Sequence, residues 1–526
     1  MPNTIFLSLI LLSTVFTTPA IAAQPAQSGP AWQDYGPPAF EAAVAQNKLI
    51  LLDLVAVWCH WCHVMEATTY RDPVVREHLE RHYVVVQADH DARPDLAERY
   101  RDYGWPATII LRSDGTELVK RAGYIAPGEM AELLLRTAAR TALSDDTIAS
   151  EPRQLGTASE LSEDLRDTLQ QRHLAADDPE HGGLRLMQKF LDADTIEWDL
   201  QLAQQGDGKA EKRARRHLDA ALALIDPAFG GAYQYSTHGD WQHPHYEKIM
   251  RTQLAYLRSY SLGYRHFDDP RYLAAGDRVA AWLADFMQAD NGGFATSQDA
   301  DLEQGSKAHD YFALDRDQRL QRGLPRIDRN QYADINGMAI EGLVTLFRVS
   351  GEKRYLASAV SALDWVLRNR RNGQGGYRHA AQDSAGPYLA DTLYMGRAFL
   401  ALYEASGQPA WRDQAAAAAT YIGDNFRQPG GGLLAAVDNG TPVKPVAQLD
   451  QNIHAARFLY ALAAHTTDPA HATLGDHVMR YLATPAIATS RPTDAGILLA
   501  DRDRVDVEKS KSSLTLIPSV KKEDAA

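Results

Sequence analysis

Trp58-Cys59-His60-Trp61-Cys62-His63-Val64-Met65-Glu66 follows directly on the apolar run Leu49-Ile50-Leu51-Leu52-Asp53-Leu54-Val55-Ala56-Val57. That run is short, partly β-branched and nearly unbroken, the pattern of a buried strand. His63-Val64-Met65-Glu66-Ala67 then opens a helix. Both cysteines of the 526-residue chain lie here, two residues apart. A Cys-x-x-Cys pair at a strand-to-helix corner sets its first sulfur beside the free N–H groups of the helix start. The helix dipole there favours the thiolate, the reactive form. Such a pair attacks a partner's disulfide with one sulfur and releases the product with the other. His60 adjoins Cys59, and an imidazolium at that place lowers the thiol pKa further.

On either side the chain alternates short helices and strands. Phe40–Gln46 reads as a helix before the apolar strand. Asp72 is an N-cap and Pro73 a first helical residue for the helix after the cysteines. Tyr83–Asp89 is a second strand, and Pro94–Tyr103 a helix closed by Gly104. Trp105-Pro106 leads into the strand Ala107–Leu111. A proline there is either cis in a tight turn or trans at a strand start. Ser113-Asp114-Gly115-Thr116 is a hairpin turn, and Glu129–Ala142 a closing helix. The order βαβαββα, with Cys-x-x-Cys at the first corner and Gly-x-Pro before the third strand, resembles the thioredoxin fold over residues 24–143. The resemblance implies that Cys59 attacks, that Cys62 resolves, and that Pro106 is cis and faces the dithiol. His60, Trp61, His63 and Trp105 would then tune the redox poise and shape the groove. A protein thiol or disulfide is the implied partner.

Two other chemistries fit the same six residues. Cys59-x-x-Cys62-His63 satisfies the c-type haem attachment pattern, although it follows a core strand. Cys59, His60, Cys62 and His63 are also zinc-ligand types, but four ligands in five consecutive residues do not easily reach one tetrahedral ion. The thioredoxin-like reading requires neither cofactor nor metal.

The bulk numbers exclude other classes. A chain this long holds more than one domain. At 45% hydrophobic and 23% charged it has globular composition. Its net charge of −14, with no basic stripe, argues against nucleic acid and anionic membranes. Ile5–Leu12 and Ala20-Ile21-Ala22-Ala23 read as the apolar core and cleavage site of a signal peptide over residues 1–23, although Lys and Arg are missing ahead of the apolar core. That predicts export to the periplasm or beyond, with no membrane insertion after cleavage. Two cysteines in an exported chain of this size are no disulfide framework.

Residues 144–159 read as a polar linker. Beyond it, amphipathic helices pair off between Gly-Gly loops at 182–183, 230–231, 292–293, 375–376 and 430–432. In one helix Tyr272, Ala275, Val279, Trp282 and Phe286 form a single stripe. Stacked helical hairpins over residues 160–485 predict an all-α (α/α)6 toroid; the helices found fall just short of the twelve that a closed ring needs. Residues 486–526 read as a small appendage, with strands at Ile497-Leu498-Leu499 and Ser513–Ile517, and a tail.

Polar stretches open several of these helices: Trp241 with His245-Tyr246-Glu247-Lys248, Asp299-Ala300-Asp301, Asp334-Ile335-Asn336-Gly337 and Tyr388-Leu389-Ala390-Asp391. If helices alternate inner and outer, all lie on one rim. Trp241, His245, Tyr246, Glu247, Asp299, Asp301, Asn336 and Asp391 would then line a central pit fit for a sugar. Each also has a plain structural use, as a cap or an ion pair. The Cys59–Glu66 motif in company with Pro244-His245-Tyr246-Glu247-Lys248 resembles the spermatogenesis-associated thioredoxin-domain proteins and their bacterial relatives. That family joins a thioredoxin-like domain to a six-hairpin glycosidase-like domain. The resemblance implies a thiol–disulfide oxidoreductase or redox sensor fused to a carbohydrate-type toroid. A binding scaffold without turnover, or a sugar epimerase or hydrolase regulated by its cysteines, stands beside it. The chain departs from the family at Tyr246, usually Phe, and at Asp334-Ile335, usually Ser-Trp.

Overall fold

The computed structural model describes residues 29–140, 155–383 and 385–515. The signal segment, most of the linker and the last residues of the tail lie outside the described residues. In chain order the first unit is β1 (Gln33–Asp34), α1 (Pro37–Gln46), β2 (Leu49–Val55), α2 (His60–Ala67), α3 (Pro73–His82), β3 (Tyr83–Asp89), α4 (Pro94–Arg99), β4 (Ala107–Leu111), β5 (Glu117–Ala122) and α5 (Pro127–Arg140). Its sheet runs β1-β3-β2-β4-β5, with β2 parallel to β3 and antiparallel to β4. The central strand β2 is buried on both faces. Ile50, Leu52 and Leu54 meet Phe40, Val86 and Ile109, while Leu51 meets Met65, Leu79 and Leu134. Asp72 caps α3 through Val74 N–H and Val75 N–H, with Pro73 in the first turn. Residues 33–34 extend the sheet beside β3.

The second unit is helical. It comprises α6 (Glu163–Ala176), α7 (Ala193–Gln204), α8 (Gly208–Ala221), β6 (Tyr235–Ser236), β7 (Pro244–His245), β8 (Lys248–Ile249), α9 (Met250–Phe267) and α10 (Pro270–Trp282). Then come β9 (Ser297–Gln298), α11 (His309–Phe312), α12 (Arg316–Arg322), β10 (Ile327–Asp328), α13 (Ala333–Ser350), α14 (Lys353–Asn369) and α15 (Leu389–Ser406). It ends with α16 (Pro409–Asn425), α17 (Leu449–Ala464), α18 (Pro469–Leu482), α19 (Pro485–Ala488) and α20 (Ala495–Thr515). Six inner helices, α7, α9, α13, α15, α17 and α20, pack each on the next, and α20 returns to α7. Each has an outer partner, α20 pairing with α6 from the start of the domain. The architecture is therefore an α/β thioredoxin-like domain followed by an (α/α)6 toroid.

The expectation of a C-terminal appendage with strands fails. Ile497, Leu498, Leu499 and Ala500 are buried in the toroid core as the sixth inner helix, not in a separate sheet. An inner helix is enclosed on nearly every side, so its apolar run lacks the one-sided period of a surface helix.

The Gly-Gly loops recur for a physical reason. At Gly231, Gly293, Gly376 and Gly432 an added Cβ would lie between 2.3 and 3.0 Å from a ring atom of Trp282, Trp365, Tyr421 and Tyr481 respectively. Each aromatic comes from the outer helix of the neighbouring hairpin. The residue after the second glycine is then held by the fourth residue of the following inner helix. Gln253 Oε1 accepts from Ala232 N–H at 2.7 Å, Asn336 Oδ1 from Phe294 N–H at 2.7 Å, Thr392 Oγ1 from Tyr377 N–H at 3.2 Å and Asn452 Oδ1 from Leu433 N–H at 2.8 Å. These clamps fix the loops of four hairpins on the N-terminal rim of the inner helices. Midway down the axis every inner helix contributes one charge: Glu197, Arg258, Glu341, Arg397, Arg457 and Asp503. Arg258 and Arg457 reach Glu197 at 2.6 Å each, Arg397 reaches Glu341 at 2.6 Å, and Arg457 reaches Asp503 at 3.0 Å. The girdle separates the N-terminal rim from a cavity of about 420 Å3 at the other end of the ring.

Candidate functional site

Cys59 is the N-cap of α2, and its Sγ accepts from Cys62 N–H at 3.1 Å. The two cysteines form a disulfide. The Trp105–Pro106 bond is cis, as the thioredoxin resemblance implied. Asp53 lies in β2, the strand feeding Cys59, and is buried. Tyr70 OH donates to it at 3.0 Å and Gln87 Nε2 at 3.2 Å, yet burial pushes its carboxyl up to about 7. Its sequence signal is an acid in the middle of an apolar strand.

The disulfide does not face solvent. Cys59 is 4% and Cys62 5% exposed, packed among Val55, Ala56, Trp58 and Trp105 and, from the toroid, Ile249. Ile249 ends β8, which pairs with β9 in the register Lys248 with Gln298 and Ile249 with Ser297. That ladder brings Glu247 and Asp299 to one place, as expected for the two ends of a helical hairpin. His245 Nδ1 stands 3.7 Å from Glu247 Oε2, while the aspartates turn to histidines of the thioredoxin-like domain. His60 Nδ1 donates to both oxygens of Asp301 at 2.8 Å. His63 Nδ1 stands 3.6 Å from Asp299 Oδ2 and 3.7 Å from Asp301 Oδ2. Burial works against the charge on Asp301, but His60, His63 and Gly305 N–H carry its pKa down to about 2. Burial pushes the Asp299 carboxyl up. Trp61 is the open edge of the motif, 40% exposed, with Lys307 of the toroid over its ring at 5.3 Å. Lys248, next in sequence to Glu247, turns away from these acids to Asp226. Lys248 Nζ and Arg319 Nη1 reach Asp226 at 2.7 and 2.9 Å, all three fully buried.

The remaining expected pit residues are dispersed. Asn336 is consumed by its loop clamp. Trp241 Nε1 donates to His181 O at 2.9 Å and the ring packs over Gly183. Tyr246 stacks on Phe312 at 4.0 Å, and His245 on Tyr235 at 4.3 Å. None of the eight lines the large cavity of about 770 Å3 at the N-terminal rim. Tyr235, Arg251, Asp194, Asp450 and His454 line it, with Arg101 of the thioredoxin-like domain over them. The rim is the same one, but these side chains turn into loops or toward the other domain.

Asp391 belongs to a second junction. His379 Nδ1 donates to Asp391 at 2.8 Å and stands 3.6 Å from Asp334, while Nε2 donates to Asp91 O of the thioredoxin-like domain at 2.7 Å. Burial opposes the imidazolium, but Asp391 and Asp334 outweigh it and carry its pKa up to about 10. A raised His pKa stabilises the fold fully below the unfolded value near 6.5 and ceases to do so as the pH passes the folded value. Wild-type stability should therefore fall between about pH 6.5 and 10 through this group. His379→Gln should cost about 2–3 kcal/mol at pH 7, since Asp391 can take up a proton in its place, and should lack that decline. Urea unfolding across the pH range reads both.

Comparisons with known proteins agree with this division. The family model Thioredox_DsbH, described as a protein of unknown function, DUF255, matches residues 18–147. Spermatogenesis-associated protein 20 of Homo sapiens is 26% identical over 305 residues, 51% of this chain and 39% of that protein. The chain thus spans about two-fifths of that relative's length. Thiol:disulfide interchange protein DsbD 1 of Pseudomonas aeruginosa is 31% identical over 134 residues, 24% of this chain and 23% of that one. The solved cellobiose 2-epimerase from Spirochaeta thermophila DSM 6192 has a TM-score of 0.50 at 14% identity, covering 67% of this chain and 100% of its own. That likeness concerns the toroid fold.

Proposed function

We propose that this protein is a thiol–disulfide oxidoreductase whose dithiol works beneath, and is covered by, its own toroid. The observation that carries the reading is the Cys59–Cys62 disulfide at the N-terminus of α2, packed against Trp105 and under Ile249. In the reducing direction Cys59 thiolate attacks a partner disulfide, forming a mixed disulfide and expelling one partner thiolate, which takes up a proton. Cys62 thiolate then attacks Cys59 sulfur and expels the second partner thiolate. Two electrons pass to the partner, and Cys59–Cys62 is left oxidised. The setting proposed is an exported one, in keeping with residues 1–23, where disulfides persist. Equilibration of the intact chain with glutathione tests the reading: the pair must cycle reversibly between dithiol and disulfide.

A second reading concerns the toroid. The rim cavity of about 770 Å3 has the size of a small-molecule site, with charged walls and the Tyr235 ring. A small polyol or sugar is the proposed occupant, bound between the two domains.

A further inference from the structure

We propose that His63, Asp299 and Asp301 bind a divalent transition-metal cation of the zinc type at the junction of the two domains. The three offer one nitrogen and two oxygens, all within 4.8 Å of one another. His63 Nδ1 lies 3.6 and 3.7 Å from the two carboxylate oxygens. Those separations are too long for hydrogen bonds. They suit ligands that share an ion: with bonds of about 2.0–2.2 Å in a tetrahedral site, neighbouring ligand atoms stand about 3.4 Å apart.

The second observation is a set of orphaned atoms aimed at the same place. Asp299 is 1% exposed, yet its Oδ2 has no hydrogen bond, and neither has His63 Nδ1. Glu247 flanks Asp299 across the β8–β9 ladder, but its Oε2 faces His245 Nδ1 at 3.7 Å and lies outside the group. A dication would satisfy atoms that otherwise cost free energy to bury. His60 Nδ1 and Gly305 N–H hold Asp301 by hydrogen bonds, the outer support that metal-binding carboxylates receive. An imidazole among carboxylates favours zinc and its neighbours over calcium or magnesium, which take oxygen ligands.

The other histidine–carboxylate cluster shows the contrast. Both nitrogens of His379 donate hydrogen bonds, to Asp391 and to Asp91 O, so no lone pair is left for a metal. At His63 the Nδ1 has no hydrogen-bond partner, so an ion can take that position with release of the ring proton. A metal here would link the helix that carries the dithiol to the toroid loop, and the site exists whether or not the dithiol turns over.

The test uses the oxidised full-length chain, in which the cysteines cannot supply thiolate ligands. After treatment with a chelator it is titrated with Zn2+ by calorimetry and with Co2+ by visible absorption, with circular dichroism as the check on folding. The expected result is one ion per chain, with affinity lowered at least about tenfold in His63→Gln and in Asp299→Asn. No binding by the wild type, or undiminished binding by either folded variant, would overturn the proposal.

Discussion

Cys59→Ser should reduce exchange with a disulfide-bonded peptide to the uncatalysed background, while Cys62→Ser should still attack and accumulate a mixed disulfide. The asymmetry follows from the helix start. Cys62 N–H points at Cys59 Sγ from 3.1 Å, so the first sulfur receives both that donor and the helix dipole. A serine hydroxyl at position 59 has no thiolate to offer. Cys62 lies one turn into α2, where it can only resolve what Cys59 has captured. The cover over the disulfide adds a condition. With both sulfurs at 4–5% exposure, a protein substrate reaches Cys59 only after Ile249 and the loop behind it move. A gel-shift assay of thiol-alkylated species, run with both variants, distinguishes loss of attack from loss of resolution. Equal turnover by wild type and Cys59→Ser would remove the redox role.

Asp226→Ala should cost about 3–5 kcal/mol, because it strands two buried cations. Arg319 donates twice to this carboxylate at 2.9 Å, and Lys248 once at 2.7 Å. Burial already lowers the Lys248 pKa to about 8, with Asp226 holding it up. Without Asp226, Lys248 would give up its proton and Arg319 would have no counter-charge. The position matters for function as well as stability. Lys248 sits in β8 between Glu247 and Ile249, so its anchor fixes the strand that covers the disulfide. The variant should show a lowered urea midpoint and, where still folded, faster reduction of Cys59–Cys62 by a small phosphine. Replacing all three groups by apolar residues of similar volume should restore most of the stability.

How much of this was legible beforehand depended on whether the signal was local. The strand before Cys59 and the Asp72–Pro73 helix start are set by neighbours in sequence and stand where the sequence puts them, whereas the cis bond at Pro106 came from the thioredoxin resemblance. Helix α8 has a weak sequence signal, because its charged residues outnumber the buried Ala210, Ala214 and Leu218. Ile497-Leu498-Leu499 carries a strand-like signal inside helix α20, because consecutive apolar residues are shared by a strand and an enclosed helix. The axial girdle has no local signature at all. It takes one charge from each of six helices between Glu197 and Asp503. The rim loops were foreseen, but their side chains were assigned to a pit. Whether Asp299 and Asp301 face the axis or the first domain is decided by how the domains dock, which no window of sequence contains. Asn336 misled for another reason: its partner is the backbone of Phe294, and its role appears only when Gln253, Thr392 and Asn452 are seen at the same helical position.

The most direct measurement is the redox equilibrium of the intact chain in graded mixtures of reduced and oxidised glutathione. Free thiols are trapped by alkylation at each ratio, and the two states are counted by mass. The account predicts a single reversible two-electron transition between Cys59–Cys62 disulfide and dithiol, the same from either direction, with the fold retained at both ends. A pair that stays oxidised across the whole range, or that once reduced does not close again, would contradict it.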